Sequence, residues 1–73
     1  MKIKAYEFEH NGETNIYEIK PTNNDWFDLV CNDTLVAKLV SEEECRRVIW
    51  TYLVSIGKNI DYITDEDLEV VNV

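Results

Sequence analysis

The stretch Ser41 to Gly57, S-E-E-E-C-R-R-V-I-W-T-Y-L-V-S-I-G, constrains the fold more than any other part of the chain. Ser41 stands where a helix needs a cap, its hydroxyl able to accept from a free amide of the first turn. Glu44 follows at the spacing of a capping box. Glu42, Glu43 and Glu44 put negative charge at the positive end of the helix dipole, and Gly57 supplies a residue that tolerates the left-handed backbone on which helices commonly stop. Between these signals Cys45, Val48, Ile49, Tyr52, Leu53 and Ile56 recur at i, i+3, i+4, i+7, i+8 and i+11, which is one helical face. The spacing predicts an amphipathic helix with that face in the core.

The segments before it read as strands. Lys2 to Lys20 is a β-hairpin around Asn11-Gly12, because a type I′ turn requires positive φ at two successive residues and Asn-Gly meets that demand. A two-residue loop sets His10 opposite Glu13, Phe8 opposite Asn15, Tyr6 opposite Tyr17 and Lys4 opposite Ile19. Tyr6, Phe8, Tyr17 and Ile19 then share one face. Pro21-Thr22-Asn23-Asn24-Asp25 is a loop by composition. A second hairpin follows, Trp26–Asn32 and Leu35–Val40, turning at Asn32-Asp33. Both of its strands are apolar nearly throughout, a pattern either of central strands or of an extra surface buried by something beyond the single helix. The inward set is either Phe27, Leu29 and Cys31 or Trp26 and Val30. Beyond the helix, Thr64 to Asp67 reads as a turn and L-E-V-V-N-V as a final strand, with a short helix opened by Thr64 as the alternative. The expected architecture is an α+β fold in the order β-β-β-β-α-β, a small antiparallel sheet of two consecutive hairpins packed on one helix. At 73 residues and 45% apolar content, residues 1–73 are sized for one domain and too hydrophobic for disorder.

Catalytic chemistry finds little to work with. The single histidine, His10, adjoins a hairpin turn. Cys45 lies on the apolar helix face and Cys31 within a strand, positions of inert core thiols. Gly12 and Gly57 are the only glycines, so no phosphate-cradling loop can be built, and no C-x-x-C or H-E-x-x-H string occurs. Asp65, Asp67 and Glu69 alternate as in a calcium loop but lack its central glycine. The expectation is a protein that is not an enzyme, with no cofactor and no metal site. The N-terminal run M-K-I-K-A-Y-E alternates instead of forming an apolar core, which favours a cytoplasmic setting over export or membrane insertion.

Charge points to partners. Fifteen acids oppose seven bases, a net charge of −8. This disfavours direct binding of nucleic acid or anionic membrane, since phosphate contact requires clustered Lys and Arg. Asp61, Asp65, Glu66, Asp67 and Glu69 fall in residues 61–73, which contain no base. On the helix, Glu43, Arg47, Trp50 and Val54 form a second stripe off the core face. Either the C-terminal segment or a second subunit covers it, or Arg47, Trp50 and Val54 anchor a partner. Trp26 is a further candidate anchor, or a cap on the core edge.

Two functions fit these features. One is a small protein-binding module, an inhibitor whose carboxylates imitate phosphates and occupy a basic, nucleic-acid-binding site on a partner protein. In size and charge the chain resembles the compact acidic proteins that phages and mobile elements use against host defence nucleases. The other is an assembly subunit, a homodimer built on the apolar helix stripe or on a strand edge.

Overall fold

The computed structural model describes residues 2–72. The chain runs β1 (Lys2–His10), β2 (Glu13–Pro21), β3 (Phe27–Cys31), β4 (Thr34–Leu39), α1 (Glu42–Ser55), a single 3-10 turn at Asp65–Asp67, and β5 (Glu69–Asn72). The strands form one antiparallel sheet ordered β4-β3-β2-β1-β5, with α1 packed on one face. This is the expected α+β order. The C-terminal element resolves as the turn followed by the strand; Val73, assigned to that strand from sequence, lies outside the described residues.

Both hairpins turn through paired left-handed residues, Asn11 (φ 53°) with Gly12 (φ 79°) and Asn32 (φ 50°) with Asp33 (φ 68°). That backbone matches the right-handed strand twist and fixes register. In the first hairpin Tyr6 pairs with Tyr17, Phe8 with Asn15 and Lys4 with Ile19, so the aromatic side chains fall on the face that receives the helix. In the second, Asn32 adds a clamp. Its side-chain oxygen accepts from the Ile16 amide at 2.9 Å, and its amide nitrogen donates to Asn15 at 2.9 Å, tying the β3 end to β2.

The helix caps as its sequence implies, with one displacement. Glu44 N–H donates to Ser41 Oγ at 3.1 Å, but the return bond to Glu44 Oε2 comes from Val40 N–H at 3.2 Å, not from Ser41. The carboxylate therefore also anchors the strand-to-helix corner. At the other end Lys58 N–H reaches Leu53 O at 2.9 Å and Gly57 N–H reaches Val54 O at 3.0 Å. These are the two bonds of a Schellman stop, made with Gly57 at φ 90°.

Tyr17, Ile19, Leu29, Cys45, Ile49, Leu53, Ile63 and Leu68 form the buried cluster between helix, sheet and C-terminal segment. Phe27, Leu29 and Cys31 are the inward set on β3, while Val30, from the other parity, is buried on the opposite face with Ile3. Three expectations need correction. Of the two readings of the near-continuous apolar runs, that of central strands fails for β4, which is an edge. A bulge where Leu29 pairs with Ala37 but Val30 with Leu35 leaves Val36 as the extra residue; Leu35 and Val36 are exposed, while Leu39 packs against the core. Trp26 lies outside β3, half-exposed. Of the six residues on the proposed helix face, Cys45, Ile49 and Leu53 are fully buried, while Tyr52 is exposed although its ring meets those of Phe8 and Tyr17 in T-shaped contacts.

Candidate acidic interaction surface

Lys4 organises the acidic surface. Its parity on β1 points it to the helix side, where its ammonium meets Glu42 Oε2 at 2.9 Å and Asp65 Oδ1 at 2.5 Å. The first carboxylate belongs to the first residue of α1 and the second to the 3-10 turn. One ammonium thus joins the acids of two elements: Glu42 with its neighbours Glu43 and Glu44, and Asp65 with Glu66 and Asp67. The hydrogen bond from Lys4 holds the Asp65 carboxyl below the usual carboxylate range, with the charges of Lys4 and Arg46 adding to the effect. The same two bonds raise the Lys4 ammonium above its ordinary value.

The turn is built by its own acids. Asp67 Oδ2 accepts from Thr64 N–H at 2.8 Å and from Thr64 Oγ1 at 3.1 Å, closing the turn from inside. Asp67 is therefore a structural carboxylate as well as a surface charge. Asp61, Glu66 and Glu69 are exposed and form no ion pair or side-chain hydrogen bond among the described residues. Of the sequence-nominated acids, Asp65, Glu66 and Asp67 come together on the turn, Glu69 opens β5 beside Ala5, and Asp61 lies earlier in the extended segment.

The apolar candidates separate. Trp50 is covered by the C-terminal segment: its indole Nε1–H donates to Ile60 O at 3.3 Å, and its ring lies 5.5 Å from that of Tyr62. Arg47 is exposed, 3.8 Å from the equally exposed Glu43 one turn earlier, an arrangement that contributes little in water. Val54 is exposed. Trp26 lies elsewhere, on the 22–26 loop, where Thr22 donates both N–H and Oγ1 to the Trp26 carbonyl at 2.9 Å. Beside it is an open cavity of about 420 Å³ lined by Thr22, Asn24, Trp26 and Lys38.

Glu42 and Lys4 are the residues of this surface that the sequence pattern did not single out. The signal for them lay in the hairpin register, which sets Lys4 opposite Ile19 on the aromatic, inward face. A lysine at the end of a buried face needs a carboxylate partner. Burial pushes the Cys45 thiol up to about 11 and the Tyr17 hydroxyl up to about 12, so both stay protonated at neutral pH, and the Cys31 thiol is shifted upward for the same reason. Among the described residues no group of three or more His, Cys, Asp or Glu is arranged to hold a metal ion, and no helix is long and apolar enough to cross a membrane. No protein-family model matches this sequence, nor does any curated protein or solved structure.

Proposed function

We infer that this chain is a small acidic protein-binding module without catalytic activity of its own, which acts inside the cell by occupying a basic, nucleic-acid-binding site on a partner protein. The observation that carries the reading is the Lys4 bridge. Carboxylates from the helix start and from the 3-10 turn are fixed to one ammonium, so acids far apart in sequence share one surface. Carboxylates held on a scaffold can engage Lys and Arg side chains that otherwise bind phosphates, and a net charge of −8 steers such a partner in from a distance. An inhibitor of the kind phages direct at host nucleases would use such a surface.

The test is competition. A labelled oligonucleotide bound to a host nuclease is displaced by the wild-type protein, and displacement weakens as salt is raised. The triple variant Asp61→Asn, Glu66→Gln, Glu69→Gln removes three charges and no hydrogen bond of the fold, so it competes at least about tenfold less well. Equal competition by wild type and variant across a panel of basic nucleic-acid-binding proteins rules the reading out.

A further inference from the structure

The loop between the two hairpins carries a cavity that shares no residue with the acidic surface. Thr22 donates its N–H and its Oγ1–H to the Trp26 carbonyl at 2.9 Å, and Oγ1 accepts from Asn24 N–H at 3.3 Å. Asp25 completes the loop at φ 60°, a left-handed backbone that a short polar side chain tolerates. The backbone under Trp26 is thus fixed without help from its side chain, which stays 45% exposed. Trp50 donates its indole N–H to Ile60, whereas the Trp26 indole has no such partner among the described residues. Thr22, Asn24, Trp26 and Lys38 line the open cavity of about 420 Å³, a volume in the range of small-molecule sites. Lys38 stands opposite Asp28 across the β3–β4 ladder, and the two side chains meet at 2.9 Å. That single bond leaves the ammonium two donors and the carboxylate a whole second oxygen.

We propose that this cavity binds a neutral saccharide, a pyranose ring lying on the Trp26 indole with its hydroxyls on Asn24 and on the Lys38–Asp28 pair. The chemistry of the lining selects that ligand. An aromatic face is negative and attracts the polarised C–H groups on one side of a sugar ring. An ammonium beside a carboxylate matches a vicinal diol: one hydroxyl accepts from Lys38 and its neighbour donates to Asp28. Charged ligands are refused. The pair has no net charge to offer an anion, and the chain's −8 repels one. The Lys38 ammonium, on the same cavity wall as the indole, opposes a cation that would stack there. A wholly apolar ligand would strip water from Asn24 and Lys38 and return no hydrogen bond. The cavity is open, so binding is weak, in the millimolar range.

Heteronuclear NMR titration of the intact protein tests this, with the Trp50 indole, bonded to Ile60, as internal control. The probes are the methyl glycosides of glucose, galactose and mannose, N-acetylglucosamine, maltose, cellobiose and lactose, each to ~20 mM. Glucosamine, glucuronate and adenosine are the counter-probes. At least one neutral sugar shifts the Trp26 indole and the Asn24 side-chain amide and leaves the Trp50 indole in place. It binds at least about fivefold tighter than glucosamine or glucuronate, and tighter than adenosine. Trp26→Ala removes a half-exposed ring outside every strand, so circular dichroism is unchanged while the Asn24 response is lost. If that variant does not fold, Asn24→Ala in the exposed loop replaces it and weakens binding at least about threefold. No shift at Trp26 with any neutral sugar overturns the proposal. So does adenosine or a charged sugar that binds as well as the best neutral one, or an Asn24 response that persists in folded Trp26→Ala.

Discussion

At the scale of single residues, Lys4 concentrates the most consequence. Its two carboxylate partners come from elements 38 and 61 positions away in sequence, so its loss loosens both the helix start and the 3-10 turn. The pH dependence follows from the two shifted groups. Asp65 titrates lower in the folded protein, so its contribution is present above the ordinary carboxylate range and is lost as pH falls through its depressed value. Lys4 titrates higher when folded, so its contribution is present below its ordinary value and is lost as pH rises through the raised one. In Lys4→Met, which keeps the aliphatic stem, both contributions disappear. Urea midpoints of wild type and variant therefore differ by a constant amount across neutral pH. The difference closes below about pH 4 and again above about pH 10.5. The loss of stability is small, because Asp65 is exposed and the bridge is partly screened. A gap independent of pH from acid to alkali shows that the variant acts through packing alone.

At the scale of elements, the helix is held by two termini and one narrow face, and each can be weighed. Ile49 is fully buried at the centre of that face, and Ile49→Ala costs about 3 kcal/mol, from lost transfer energy and the cavity it leaves. Gly57 separates backbone from packing: a methyl group added there meets nothing within 4 Å, yet φ is 90°. Gly57→Ala costs about 1 kcal/mol through backbone conformation alone, read as a lower urea midpoint with unchanged slope. The helix, the first hairpin and its register were legible because each rests on local chemistry: a cap, a period of 3.6, a turn that demands positive φ. The rank of strands in the sheet was not. An apolar run reports how much oil a strand carries, and β4 carries as much as a central strand although, among the described residues, no strand pairs with its outer side. Trp50 was equally undecided, since its partners Ile60 and Tyr62 belong to a segment with neither period nor alternation. The acidic surface was half legible: the acid-rich tail without a base announced Asp65, Glu66 and Asp67, while their union with Glu42 depends on a lysine sixty-one residues from Asp65.

At the scale of the whole molecule, the C-terminal segment has two roles that pull in opposite directions. Its side chains at Ile63 and Leu68 complete the core, and Ile60 and Tyr62 cover Trp50. Its carboxylates crowd like charge into one short stretch of chain with no base, which disfavours the compact state at low salt. Removing the segment and neutralising it must therefore have opposite effects. Truncation after Asn59 strips β5 from β1, uncovers Trp50 and removes two buried side chains, Ile63 and Leu68, worth roughly 1.5–3 kcal/mol each. In a domain of this size that loss exceeds the margin of stability, and the truncated chain gives no cooperative thermal transition. The neutralised variant Asp61→Asn, Glu66→Gln, Glu69→Gln keeps every one of those contacts and sheds three mutually repelling charges, so it melts at or above the wild-type temperature in low salt. Raising salt screens the repulsion in the wild type and narrows the difference. Thermal melts followed by circular dichroism at two ionic strengths read both effects. If the neutralised protein melts well below wild type, then Asp61, Glu66 and Glu69 hold the fold together. Weakened competition by that variant would in that case report damage to the scaffold, not loss of charges aimed at a partner. A variant that melts normally and competes poorly assigns those three carboxylates to the partner-facing surface.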